Sequence, residues 1–221
     1  MPNNRGAVLW DLDGTLVDSE NYHWRSWNET LTREGISITY QDFLGSFGQR
    51  NDAILRNWLG SDVSAEKMQR IGDAKETRYR EFVRSEGLSP LPGAAEWVER
   101  LHKEGWPQAI ASSAPRRNVE VVLEALGFGR CFEATVSAED VHAGKPDPQV
   151  FLVAASRLRV EPSHCIVVED ARAGIEAAKR GGMRSIGVGP KAESLGADIA
   201  VVKLSDLPAD AFNSLTPSAH R

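Results

Sequence analysis

Cysteine is scarce in this chain and long apolar runs are missing. The two cysteines, Cys131 and Cys165, each lie in or beside an apolar stretch, with no CxxC spacing and no histidine cluster near them. That excludes a disulfide framework and a thiolate zinc site, and it predicts two buried free thiols in a reducing cytosol. No stretch approaches the ~18 apolar residues of a membrane-spanning helix. Met1 to Gly14 holds only a four-residue apolar run followed at once by acids, which is not the pattern of a signal peptide. A basic excess is missing as well: 26 Lys and Arg stand against 31 Asp and Glu, for a formal charge of −5. The dense basic spots, Arg116-Arg117 and Lys179-Arg180, are local features, so a nucleic-acid footprint is not expected. Internal repeats are absent too. A cytoplasmic protein with no membrane or nucleic-acid partner is the expectation.

What is present is ordinary globular material: 221 residues, 41% apolar and 26% charged, enough for an α/β core with a smaller insert. Short runs rich in β-branched residues recur between amphipathic stretches, the pattern of a parallel sheet with crossover helices. The runs are Ala7-Val8-Leu9-Trp10, Gln108-Ala109-Ile110-Ala111, Ala134-Thr135-Val136, Cys165-Ile166-Val167-Val168, Ser185-Ile186-Gly187-Val188 and Ile199-Ala200-Val201-Val202. Helical stripes lie between them. Trp97, Val98 and Leu101 stop at Gly105, and Val119, Val122, Leu123 and Leu126 stop at Gly127. Asp147-Pro148 reads as an N-cap followed by proline at the first helical position, and a helix opening near Ala171 stops at Gly181-Gly182. One segment breaks this alternation. Between the first strand and the Ala94 helix the sequence has helical periodicity and no strand, so residues 17–87 are expected to form an inserted helical subdomain, with residues 1–16 and 88–221 as the core. Within it Trp24, Trp27 and Leu31 precede Gly35; Ile54, Leu55, Trp58 and Leu59 precede Gly60; and a third helix is predicted from Lys75 to Arg84. These tryptophans are assigned to packing. Ser214 to Arg221 reads as a frayed tail.

In an open parallel sheet, ligands bind outside the carboxyl ends of the strands. The first strand ends in Asp11-Leu12-Asp13-Gly14-Thr15 and the second in Ser112-Ser113. A loop after the third offers Lys145-Pro146, and the fourth ends in Glu169-Asp170. A phosphate ester is an anion, so a carboxylate can attack it only when a cation cancels the repulsion. The pattern therefore assigns Asp11 as nucleophile through an aspartyl-phosphate, and Lys145 as the point charge that neutralises the phosphate. Mg²⁺ takes oxygen ligands and keeps several waters; Asp11, the backbone carbonyl of Asp13, Asp170 and Glu169 are its expected holders. Asp13, two residues on, reaches the leaving-group oxygen and suits a general acid, then base. Ser112 and the following backbone N–H groups, with Ser113, would bind the phosphoryl oxygens at a helix start. Gly14 and Thr15 shape the turn that brings the backbone close.

Asp11-Leu12-Asp13-Gly14-Thr15, Ser112, Lys145-Pro146-Asp147-Pro148 and Glu169-Asp170-Ala171-Arg172-Ala173-Gly174 resemble, in order and spacing, the four signature motifs of the haloacid dehalogenase superfamily of phosphatases and phosphomutases. The resemblance runs from about Gly6 to about Leu207. It implies an α/β fold, a Rossmann-like parallel sheet core with an inserted α-helical cap domain, and Mg²⁺ as cofactor. Asp18-Ser19-Glu20-Asn21-Tyr22-His23-Trp24-Arg25-Ser26-Trp27 is similar to the start of the cap in the β-phosphoglucomutase-like branch. That likeness implies a role for His23 in coupling cap closure to Asp13. Gly48-Gln49-Arg50 and Lys75 resemble cap positions that meet the distal groups of the substrate. The stretch after Ser112, Ser113-Ala114-Pro115-Arg116-Arg117-Asn118, departs from the mutase pattern that grips a second phosphate, although Arg116 or Arg117 offers a substitute.

These readings set a phosphatase of small sugar phosphates or similar phosphomonoesters first, and a hexose-phosphate mutase of the β-phosphoglucomutase type second. A phospho-receiver domain also gathers acids, a hydroxyl and a lysine, but lacks a large insert after its first strand. A catalytically inactive binding protein is the remaining alternative. The partner is a small phosphorylated metabolite, and a monomer is expected because a cap must move over the core.

Overall fold

The computed structural model describes residues 6–216. Six strands, β1 (Ala7–Trp10), β2 (Gln108–Ala111), β3 (Ala134–Val136), β4 (Cys165–Glu169), β5 (Arg184–Val188) and β6 (Ile199–Val201), form one sheet in the order β3-β2-β1-β4-β5-β6. Every pairing is parallel, with β1 at the middle between β2 and β4. Each central strand is buried from end to end, as a sheet covered on both faces requires. Alternation divides the strand residues between two cores. Val8, Trp10, Ile110, Ile166 and Val168 face one apolar cluster, and Ala7, Leu9, Ala109, Ala111, Cys165 and Val167 face the other.

Four helices fill the segment between β1 and the next core element: α1 (Glu20–Arg33), α2 (Tyr40–Ser46), α3 (Asn51–Leu59) and α4 (Ala65–Glu86). Trp27, Leu31, Phe43, Ile54, Leu55, Met68 and Ile71 give them an apolar cluster of their own. The last turns of α4 bring Tyr79 and Val83 into the core cluster, which ties the insert to the sheet. The helix predicted from Lys75 to Arg84 is thus twice that length, and α2 was not foreseen: Thr39 and Asp42 start it with reciprocal capping bonds. The core helices are α5 (Ala94–Lys103), α6 (Arg116–Leu126), α7 (Gln149–Leu158) and α8 (Arg172–Arg180). Helix α7 begins one residue later than expected, yet the Asp147 side chain still caps it by accepting from the Gln149 N–H at 2.9 Å.

At the chain's end a short helix, α10 (Ala211–Leu215), follows the single-turn α9 (Ala192–Leu195). It corrects the frayed-tail expectation for Ser214 and Leu215, which are helical, Leu215 packing on the core beside buried Phe212. Residues 217–221 of that tail, and residues 1–5 of the expected core, lie outside the described residues. Both cysteines are free and buried. Among the described residues no helix is long and apolar enough to cross a membrane.

Candidate active site

The site begins where the ladder of β1 ends. The Asp11 N–H still bonds to the Val168 carbonyl at 3.0 Å, so the Asp11 backbone is held in register with β4 while its side chain leaves the sheet edge. Beyond it the chain turns sharply: the Leu12 carbonyl accepts from Leu16 at 2.9 Å, and Gly14 N–H donates to the Val17 carbonyl at 2.9 Å. Gly14 has φ +88, and a Cβ there would collide with the Asp170 carboxylate. Glycine is needed here both for its backbone conformation and for room.

Three carboxylates meet at this edge. Asp11, Glu169 and Asp170 can place ligand oxygens within 4.8 Å of one another. Lys145 enters from the loop before α7 and donates to Asp11 Oδ1 at 2.5 Å and Glu169 Oε1 at 2.6 Å, its side chain only 4% exposed. One ammonium among three carboxylates leaves a net negative charge. Burial pushes the Asp11 carboxyl up to about 7, with Glu169 and Asp13 adding to the effect and Lys145 opposing it. Asp170 is raised well above the usual carboxylate range by burial and by Glu169 and Asp11. Burial works against the charge of Lys145, but Asp11 and Glu169 hold it above its ordinary value. Oxygen ligands in a buried, under-compensated anionic cluster suit a hard divalent cation. Around the cluster, Thr15 donates to Asp170 Oδ1 at 3.3 Å, Ala171 N–H to Glu169 Oε2 at 2.7 Å, and the Ser112 hydroxyl accepts from Ala114 N–H at 3.0 Å.

Asp13 faces the other way. Its Oδ1 accepts from Ser19 at 2.5 Å, contacts His23 Nε2 at 3.2 Å, and has the Tyr79 hydroxyl at 3.4 Å. Ser19 occupies the N-cap position of α1 but makes no capping bond, because its hydroxyl is spent on Asp13. Burial alone would raise the Asp13 carboxyl, but His23, Ser19 and Lys75 outweigh it and hold Asp13 below its usual value. His23 stacks on Tyr79, with ring centroids 4.1 Å apart, and its Nδ1 lies 2.8 Å from Lys75 Nζ. An ammonium has no lone pair, so Nδ1 accepts from Lys75 and the ring proton sits on Nε2, pointing at Asp13.

A cavity of about 240 Å³ joins these groups to the inserted helices. Its lining includes Asp11, Asp13, His23, Lys75, Ser112, Ser113, Lys145, Glu169 and Asp170. Arg50 and Arg116 do not line it. Arg50 donates to the carbonyls of Ala138 at 2.8 Å and Val141 at 3.3 Å, and Arg116 pairs with Asp140 at 2.8 Å. Trp27, which the sequence assigns to packing, also lines it, as do Phe43, Phe47, Asn51 and Glu76, which were not singled out from sequence. One signal for Glu76 was available. The buried positions of α4 are Met68, Ile71, Gly72, Lys75, Glu76, Tyr79, Phe82 and Val83, so Lys75 and Glu76 both fall inside the apolar stripe. Charged residues in that stripe are buried only when paired or functional.

Residues 6–182 match the haloacid dehalogenase-like hydrolase family. The chain belongs to that family. It is 35% identical over 212 residues to β-phosphoglucomutase of Bacillus subtilis, covering 91% of each chain. It is 31% identical over 222 residues to validoxylamine A 7'-phosphate phosphatase of Streptomyces hygroscopicus, covering 96% of this chain and 99% of that one. Among solved structures, β-phosphoglucomutase from Clostridium difficile superposes with a TM-score of 0.86 at 26% identity, covering 96% of each chain. The family makes this chain a phosphohydrolase or phosphomutase of the β-phosphoglucomutase-like branch.

Within the family's last motif, Gly174 follows Glu169 so closely that an added Cβ would occupy the space of the Glu169 carboxylate. Gly174→Ala is therefore expected to displace Glu169 and, with it, Lys145. Turnover should fall by on the order of 10²-fold, and the melting temperature by roughly 2–10 °C. Unchanged kinetics and melting in the purified variant would show that Glu169 has room to move.

Proposed function

We propose that this chain is a Mg²⁺-dependent phosphatase of small sugar phosphates or similar phosphomonoesters, working through an aspartyl-phosphate on Asp11. The observation that carries the reading is the pairing of Lys145 with Asp11 and Glu169 in a cavity that is also lined by Asp13, held on Ser19 and His23. Asp11, Asp170, Glu169 and the backbone carbonyl of Asp13 are the residues that would hold the metal. Bound there, Mg²⁺ would offset the charge of the phosphoryl oxygens and of the three carboxylates.

Asp11 attacks phosphorus and the bond to the substrate oxygen breaks. Lys145 and the Ser112 hydroxyl, with the Ser113 backbone N–H, hold the phosphoryl oxygens. Asp13 gives its proton to the departing alkoxide, then takes one from the water that cleaves the acyl phosphate. In the resting site Asp13 favours its ionised form; an incoming dianion raises it again by like-charge repulsion. Residues 17–87 serve as a cap over this chemistry. A coupled assay for inorganic phosphate over a panel of sugar monophosphates tests the reading: phosphate release requiring Mg²⁺ supports it. Rearrangement of a hexose phosphate without phosphate release would replace it by the mutase.

Metal addition gives a second test. Asp11 ordinarily titrates at 3.8 and here at about 7, so between those values the folded metal-free protein holds a proton that the unfolded chain releases. Its stability contribution is present below pH 3.8 and lost as pH rises through 7. The rise in melting temperature on adding Mg²⁺ should consequently be larger at pH 8 than at pH 5. An equal rise at both would indicate that the metal does not sit on Asp11.

A further inference from the structure

The part of the cavity lined by the inserted helices shows which substrates fit. Its polar groups come from α1, α3, α4 and Gln49 in the turn before α3, and its apolar surface from Trp27, Phe43, Phe47 and Ile54. Lys75 is the ammonium on this wall, and it is fully engaged. It donates to Glu76 Oε1 at 2.9 Å and to His23 Nδ1 at 2.8 Å, and lies 5.1 Å from the Trp27 ring centroid. Glu76 is equally committed: Oε1 also accepts from Asn51 at 2.7 Å, and Oε2 from Asn118 of α6 at 2.5 Å. Burial would raise its carboxyl, but Lys75, His23 and Asn51 outweigh that, so Glu76 stays ionised. Arg50 and Arg116, the arginines whose family likeness points to the substrate's distal groups, are held on Ala138, Val141 and Asp140 and do not line the cavity. Of the remaining lining cations, Lys145 is paired with Asp11 and Glu169, and Arg172 of α8 donates to the Ser194 carbonyl.

A second phosphate placed at this end would meet an ion pair whose positive member is already neutralised, next to a buried carboxylate. A hydroxylated carbon chain would meet amide groups and aromatic faces instead. We infer that the Lys75–Glu76 pair makes the distal end of the cleft a site for an uncharged polyol, so that the enzyme takes monophosphates and rejects substrates carrying a second phosphate. Glu76 is the specificity-determining residue: it cancels the charge that would otherwise recruit the second anion. The inference rests on the phosphatase reading only in naming the site; the rank of two ligands does not depend on turnover.

The test is calorimetric binding to the Mg²⁺-loaded Asp11→Asn protein, which keeps Glu76. The ligands are fructose 1-phosphate and fructose 1,6-bisphosphate. The monophosphate should bind at least ~10-fold more tightly, and adding Glu76→Gln should narrow or invert that ratio by about 10-fold as Lys75 is released. Bisphosphate binding as tight as or tighter than monophosphate binding with Glu76 in place would overturn the inference, whether or not the Gln variant folds. Failure of the native enzyme to release phosphate from any ester would instead sink the phosphatase reading and leave the ligand ranking standing.

Discussion

Replacing Asp11 by asparagine is expected to lower phosphate release from a sugar monophosphate by on the order of 10⁴-fold or more, with the fold kept. An amide cannot form the acyl-phosphate bond, and neither Glu169 nor Asp13 can stand in. Glu169 is tied to Lys145 and to the Ala171 N–H, and Asp13 faces Ser19 and His23. The variant should not be less stable in the absence of metal. Asp11 sits among Glu169, Asp170 and Asp13, and its carboxyl is raised to about 7 by burial and by Glu169 and Asp13 against the opposing charge of Lys145. Removing its charge relieves repulsion while Lys145 keeps Glu169 as a partner. At pH 8 without Mg²⁺, the melting temperature should match or exceed that of the native chain. Acid-quenched intact mass spectrometry would complete the test by finding a phosphoryl adduct on the native protein and none on the variant. Activity within tenfold of native would remove Asp11 as the nucleophile.

The residues at the strand ends were legible because a parallel sheet imposes its own geometry. Once Ala7-Val8-Leu9-Trp10 and Cys165-Ile166-Val167-Val168 read as buried strands, Asp11 and Glu169 had to leave the same edge, and the register of β1 with β4 places them side by side. Lys145 was found by its loop position and chemistry together. The inserted helices were harder to read. Helix α2 is seven residues long, too short to show a period, and its start depends on one reciprocal cap. Arg50 and Arg116 were marked for the ligand by resemblance, Arg50 to a cap position that meets the substrate's distal groups and Arg116 as a substitute for the mutase grip on a second phosphate. Sequence does not show which way a long side chain turns, and here the Ala138 and Val141 carbonyls and the Asp140 carboxylate compete for them. Ser19 escaped notice for the opposite reason. A serine before a helix is read as a cap by default, and only coordinates show its hydroxyl committed to Asp13. Trp27 was assigned to packing, which it does through Trp58 at 5.2 Å, while its ring also walls the cavity.

Asp13→Asn should separate the two halves of the reaction. With a sugar phosphate the leaving alkoxide is strongly basic, and loss of the proton donor should slow turnover by about 10²–10⁴-fold. With p-nitrophenyl phosphate the phenolate leaves without a proton, so attack by Asp11 should proceed at close to the native rate. The second half still needs a base to activate water, and asparagine cannot serve. The expected result is a burst of one equivalent of nitrophenolate per active site, followed by slow steady release. The phosphoenzyme then accumulates on Asp11, where acid quench captures it. The variant also tests a purely structural role for Asp13, which is a junction for Ser19, His23 and Tyr79. If the carboxylate serves only to order these three groups, asparagine should slow both substrates by the same factor. No burst should then appear, because the damage would precede phosphoryl transfer. A burst with one substrate and a deep loss with the other can arise only if Asp13 moves protons.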